Sequence, residues 1–149
     1  MVLEITICNY ATYDYPHIEE LWEKTGLGGA IRGDNKQIIE QSLEMGGCLL
    51  LAKLADGKLV GTSWMTFDGR RIHLHNFGVE PEFQRKGIGR QLAIASIDWA
   101  KRKGYQVKLE VHQTNTAAIE LYKNLGFKYL GDYDVYIIRD YIDLGNVNK

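Results

Sequence analysis

The sequence predicts an α/β (α+β) fold, a mixed sheet with helices on both faces. Three observations carry that prediction. The apolar pattern orders the chain as a strand, two helices, three strands joined by hairpin turns, a helix, a strand, a helix and two strands. A strand ending at Val79, a helix, and a strand from Val107 imply a right-handed crossover and a parallel pair. Between the first two of these lies a basic turn, Gln84-Arg85-Lys86-Gly87-Ile88-Gly89-Arg90, whose two glycines let the backbone turn tightly and a ligand approach the main chain.

Each element has its own reason. Leu3, Ile5 and Ile7 alternate with Glu4, Thr6 and Cys8 as a strand with one buried face. Pro16 suits the first turn of a helix and pushes Tyr15 out of the helical region. Ile18, Leu21, Trp22 and Thr25 form that helix's inner face, with Glu19, Glu20 and Glu23 elsewhere on it. Gly26, Gly28 and Gly29 make a flexible loop, and Asp34 is a cap for a second helix with Ile38, Ile39 and Leu43 inward. Cys48 to Leu54 is a continuous apolar run, as in a strand buried on both faces. Asp56-Gly57 and Asp68-Gly69 are hairpin turns around a strand from Leu59 to Phe67, and Arg70 to Val79 is the fourth strand. Ile88, Leu92, Ala95 and Trp99 share a helical face, and Gly104 ends that helix after Lys101, Arg102 and Lys103. Val107, Leu109 and Val111 alternate as a fifth strand. Asn115 caps a helix with Ala118, Leu121, Tyr122 and Leu125 on its face, ended by Gly126. Strands follow at Lys128 to Leu130 and Val135 to Tyr141, and residues 145–149 read as frayed.

Composition sets bounds. A chain of 149 residues without linkers or repeats reads as one domain, 1–149, able to bury a core. A net charge of −1 gives no electrostatic grip on nucleic acid or an anionic membrane. Cys8 and Cys48 lack metal-type spacing and read as buried free thiols in a reducing compartment. With no signal peptide or membrane span in the sequence, a cytoplasmic location is the default expectation.

The basic turn is where chemistry is expected. The first N–H groups of a helix are unpaired and carry partial positive charge, so they attract phosphate, and Arg85, Lys86 and Arg90 add cations. A plain tight turn with solvated basic residues is the bland alternative. A dinucleotide fingerprint is another: Glu110 stands about 20 residues on, but Leu92 occupies the third glycine position and Glu80-Pro81-Glu82-Phe83 intervenes. No Gly-Lys-Ser/Thr follows, which excludes a Walker loop.

The stretch Val79-Glu80-Pro81-Glu82-Phe83-Gln84-Arg85-Lys86-Gly87-Ile88-Gly89 resembles the Gln/Arg-x-x-Gly-x-Gly/Ala signature of the GNAT family of N-acetyltransferases. Asn115 to Phe127 is similar to the family's next helix, and the resemblance runs from about Leu49 to Leu130. It implies a seven-stranded sheet whose fourth and fifth strands splay to admit acetyl-CoA, the cosubstrate, with no metal. Pyrophosphate would meet the main chain of Gln84, Arg85, Lys86, Gly87, Ile88, Gly89 and Arg90. The pantetheine arm would pair with Phe77, Gly78 and Val79, flanked by Asn115 and Ala118, with an oxyanion donor in the main chain near Phe77 to Val79.

In the same resemblance Tyr122 matches the tyrosine offered to the leaving sulfur; a ring merely packed in the core is the alternative. Glu110, in Leu109-Glu110-Val111-His112, matches the base of the bacterial ribosomal-protein alanine N-acetyltransferases, the nearest subfamily. His75, whose unperturbed pKa lies near 6.5, is a second candidate base, and a water chain a third. His73 and His112 read as surface residues, and no metal constellation is present in the sequence. The chain departs from the subfamily after the last helix, where Tyr133-Asp134-Val135-Tyr136 stands in the region of a Tyr-Tyr pair. The expected reaction is direct transfer of acetyl to a primary amine, a peptide N-terminus or a small molecule, within a ternary complex. Glu19, Glu20, Asp132 and Asp134 suit a cationic acceptor. A homodimer is left open, no nucleic acid or membrane partner is expected, and the competing class is a non-catalytic acyl-CoA-binding module or sensor.

Overall fold

The computed structural model describes residues 3–28 and 32–144. Gly29 and the end expected to fray, 145–149, lie outside them. The elements are β1 (Ile5–Asn9), α1 (Tyr15–Thr25), α2 (Lys36–Glu44), β2 (Cys48–Leu54), β3 (Leu59–Phe67), β4 (Ile72–Val79), α3 (Ile88–Lys103), β5 (Val107–Leu109) and α4 (Thr116–Asn124). The strands form one sheet in chain order, antiparallel from β1 to β4, with β5 parallel to β4. The apolar runs of β2 and β3 are buried along most of their length because helices cover both faces.

Each face has its own core. Ile18, Leu21 and Trp22 of α1 and Ile39 of α2 pack on Leu49, Leu51 and Trp64. On the other face Ile88 and Leu92 of α3 and Tyr122 of α4 pack on Leu50, Val60, Met65 and Leu74. Two devices hold α1 down. Trp22 Nε1 donates to Thr62 Oγ1 at 2.9 Å in the buried sheet. Leu27, just past α1, lies so close to β4 that a Cβ on Gly78 would sit 2.5 Å from its Cδ1.

Several expectations are corrected. The sheet has five strands rather than seven among the described residues, and neither Lys128–Leu130 nor Val135–Tyr141 joins it. Alternation and β-branched residues tell how a segment packs once paired; they do not supply the pairing edge. β5 stops at Leu109 because its ladder with β4 stops at Leu74. Just beyond, β4 bulges: the β3–β4 register shifts between Thr62 and Trp64, and Asn76 takes a φ of 44°. The cap of α2 is Asn35, whose Oδ1 accepts from Ile38 N at 2.9 Å, and Asp34 instead accepts from Asn76 Nδ2 at 3.1 Å. Ile38 is therefore exposed while Ile39 is buried. Tyr15 is helical despite the following proline, carried in by the 3-10 turn Thr12–Asp14. Cys48 is buried and Cys8 half-buried, both free; burial pushes the Cys48 thiol up to about 11.

Candidate functional site

The chain leaves β4 through Glu80, whose N–H donates to Val60 O at 2.8 Å, and enters a 3-10 turn, Pro81–Phe83. Gln84 folds back, its Nε2 donating to Val79 O at 3.0 Å. Arg85 and Gly87 then take φ of 62° and 83°, which reverses the backbone into α3. Gly87, at the cap position, has no side chain to accept from the first turn. The first intrahelical bond is Gln91 N to Gly87 O, at 3.1 Å. The N–H groups of Ile88, Gly89 and Arg90 therefore face outward, and Arg85, Lys86 and Arg90 surround them with exposed cations. A Cβ on Gly89 would lie 3.8 Å from Val79 Cγ2, an ordinary contact. The protein itself does not require glycine there.

A residue that the sequence reading missed anchors this turn. Glu80 is buried, its Oε1 3.1 Å from Lys24 Nζ of α1 and its Oε2 3.5 Å from Lys58 Nζ of the β2–β3 turn. Nothing in the sequence distinguished it from the neighbouring Glu82. A cavity of about 360 Å³ opens beside this cluster, lined by His17, Glu20, Lys24, Lys58 and Glu80 among others. None of the candidate catalytic residues lines it.

Where β4 and β5 stop pairing, β4 runs on from His75 to Val79 with no strand on that side among the described residues. Tyr122 of α4 packs below this gap, edge-on to Phe77 at 5.7 Å and to Phe127 at 5.6 Å. Burial raises its pKa to about 12. Its hydroxyl makes no hydrogen bond among the described residues, yet no buried side-chain oxygen there lacks a partner. The hydroxyl therefore reaches solvent-accessible space. Asn115 Oδ1 caps α4 by accepting from Ala118 N at 3.2 Å, which leaves its Nδ2 as a donor.

His75 lies on the opposite face. Its ring meets Trp64 edge-on at 6.1 Å and stacks on His73 at 6.1 Å, and Trp64 stacks on Trp22 at 5.8 Å. Its Nε2 pairs with Thr66 Oγ1 at 2.9 Å. The ring is open to solvent on one side, but the packed side desolvates it and lowers its pKa; His73 adds to that, and Asp34 and Glu110 oppose it. Glu110, exposed just past β5, is thus within electrostatic reach of His75. The structure therefore brings Phe77 and Tyr122 together at the gap. His75, on the other face of the sheet, lies within electrostatic reach of Glu110 and Asp34. Asp34 and Asn76 were not expected here. Asparagine's tolerance of the left-handed region was the sole hint of the Asn76 bulge. Among the described residues no three His, Cys, Asp or Glu side chains could hold a metal ion, and no helix is long and apolar enough to cross a membrane.

Comparison with known proteins agrees with this geometry. The acetyltransferase (GNAT) family matches residues 15–127. A mycothiol acetyltransferase of Clavibacter sepedonicus is 33% identical over 102 residues, 68% of this chain and 34% of that protein. The N-alpha-acetyltransferase RimI of Mycobacterium tuberculosis is 39% identical over 79 residues, 50% of this chain and 49% of its own length. The chain thus spans between a third and a half of the length of these relatives. The crystal structure of the ribosomal-protein-S18-alanine N-acetyltransferase from Escherichia coli superposes with a TM-score of 0.71 at 25% identity, covering 84% of this chain and 78% of that one. With the family matched over most of its length, and the glycine turn, the uncapped helix and the interrupted β4–β5 pair all in place, the chain belongs to the acetyltransferase (GNAT) family.

Proposed function

We propose that residues 1–149 form a single N-acetyltransferase domain that moves an acetyl group from acetyl-CoA to a primary amine, by direct transfer in a ternary complex. The observation that carries this reading is the uncapped, cation-ringed start of α3 beside the unpaired edge of β4. The site fits acetyl-CoA on two counts. The first turn of α3 offers N–H donors with no side-chain acceptor, and the space over Gly89 is free of protein atoms that would demand a glycine.

Acetyl-CoA, when bound, supplies an activated acetyl thioester. The main chain from Gln84 to Arg90 holds the pyrophosphate, with Ile88 contributing only its N–H because its side chain is buried. The free edge of Phe77, Gly78 and Val79 takes the pantetheine amides as a strand would, with Asn115 and Ala118 on the other side of the gap. A main-chain N–H of this edge donates to the developing oxyanion. Such holding alone contributes several powers of ten in rate. Tyr122 offers its hydroxyl to the sulfur as charge develops there. Glu110 takes the amine's proton, directly or through water, with His75 the second candidate. The splay of β4 from β5 lets Tyr122 on one face and His75 and Glu110 on the other act on one bond.

The acceptor is a protein N-terminus or a small-molecule amine. The likeness to the S18-alanine N-acetyltransferase supports the first, and that to mycothiol acetyltransferase the second. Asp34 and Glu110, both within electrostatic reach of His75, suit an acceptor that arrives as an ammonium ion. Initial-velocity kinetics test the mechanism. Double-reciprocal lines for acetyl-CoA at several amine concentrations should intersect; parallel lines would mean a covalent acetyl-enzyme instead.

A further inference from the structure

The bulge in β4 interrupts the β3–β4 ladder at Asn76 and Phe77. The register jumps from Thr62↔Gly78 to Trp64↔His75, so these two residues face Ser63 alone. Asn76 takes a left-handed conformation, and such backbone persists only where its surroundings hold it. Two side chains do so. Asp34 Oδ2 accepts from Asn76 Nδ2 at 3.1 Å, which fixes the side chain. Thr62 Oγ1 donates to Asn76 O at 2.8 Å, which fixes the backbone.

The direction of each proton in this link is determined. Trp22 Nε1, 2.9 Å from Thr62 Oγ1, carries an N–H and can only donate, and a carbonyl can only accept. The Thr62 hydroxyl therefore accepts from Trp22 and gives its own proton to Asn76 O. Thr62 is wholly buried, where a hydroxyl is costly unless paired and valine would fill nearly the same space. In a planar trans peptide the C=O and the N–H point in opposite directions. The Asn76 carbonyl, drawn to Thr62 on β3, turns the Phe77 N–H away from β3, toward the side where the β4–β5 ladder has ended.

We propose that Thr62 is a positioning residue for acetyl transfer: oriented by Trp22, its hydroxyl holds the Asn76–Phe77 peptide so that the Phe77 N–H is aimed at the thioester carbonyl and donates to the developing oxyanion. Thr62 and Trp22 are both buried and act through the backbone. The effect on rate rests on the acetyl-transfer reading; the aim of the Phe77 amide does not, and it can be read without turnover.

The test combines amide NMR and kinetics on the 149-residue chain. In the wild type the Phe77 amide signal should move more with acetyl-CoA than with CoA, because only acetyl-CoA carries the acyl carbonyl. In Thr62→Val that difference should vanish, while the amides of Gly87 and Gly89 respond to both ligands as before. With the amine that the wild type turns over fastest among alanine-terminated peptides and small-molecule amines, kcat should fall about 10²-fold in Thr62→Val, the scale of misplacing one oxyanion donor. The dissociation constant of acetyl-CoA should not change. Thr62→Ser keeps the hydroxyl and should restore most of the rate and the Phe77 response. A wild-type Phe77 amide blind to the acetyl group would overturn the proposal without any variant having to fold. So would a folded Thr62→Val protein with wild-type kcat and Phe77 response, since the hydroxyl would then serve Trp22 alone. An acetyl-dependent Phe77 shift that Thr62→Val abolishes, with no thiol released by the wild type for any amine, would support the aim of the amide and contradict acetyl transfer itself.

Discussion

Tyr122 is held protonated with a pKa of about 12, while a free thiol lies near 8.5. Full proton transfer to the departing sulfur is therefore uphill by roughly 5 kcal/mol, and the hydroxyl acts mainly as a hydrogen-bond donor to developing charge. Tyr122→Phe should accordingly lower kcat by about 10²-fold, the low end of general acid catalysis, with acetyl-CoA affinity unchanged. Wild-type kcat in the folded variant would reduce Tyr122 to a core ring. For the base, Glu110→Gln should displace the rising limb of the pH–rate profile more than His75→Gln; the reverse ranking would reassign the role. His75 also carries a stability signature. Its folded pKa is lowered, so its contribution is present above about pH 6.5 and is lost as pH falls through the folded value. Melting temperature should drop over that acid window, and less so in His75→Gln. Tyr122 and Glu110 were legible because they stand at fixed offsets from recognisable motifs. Asp34, Asn76 and Glu80 were not, since their roles depend on partners 22 to 56 residues away in sequence.

At the scale of elements, the turn into α3 was the most legible part of the chain. Two glycines, flanking cations and a strong helical run specify a strand–turn–helix with an open N-terminus. Gly89→Val should abolish tight acetyl-CoA binding in a folded protein, because a Cβ there meets only ordinary contacts within the protein. Retained affinity, read by calorimetry, would misplace the cradle. Caps were less legible. Asp34 and Asn35 are adjacent and chemically alike as caps, and only the tertiary bond to Asn76 decides between them. Asn35→Ala should cost α2 about 0.5–2 kcal/mol, measured by denaturant unfolding, whereas Asp34→Ala should spare the helix. The short β5 escaped prediction for a related reason. Alternation continues through Val111, but the ladder ends where the Asn76 bulge turns β4 aside.

Across the whole molecule, strand order and the two-sided helical cover followed from local pattern, because β2, β3 and β4 are joined by Asp-Gly turns and must pair as neighbours. The apolar pattern after Phe127 and the seven-stranded sheet that the family resemblance implies both predict two more strands, but local pattern cannot name the edge a strand will meet. Ligand linkage tests the assembled cofactor site. Acetyl-CoA at about 100 times its dissociation constant should stabilise the fold by about 2.7 kcal/mol, several degrees in melting temperature, and NAD should do little. Equal shifts would favour a dinucleotide site. The central claim, that this fold transfers acetyl from a thioester to an amine, is tested most directly by counting free CoA thiol released from acetyl-CoA across a panel of alanine-terminated peptides and small-molecule amines. The account predicts release that depends on an amine and matches acetylated product one for one. Tight binding of acetyl-CoA with no thiol released for any amine would contradict it and make the chain an acyl-CoA-binding module.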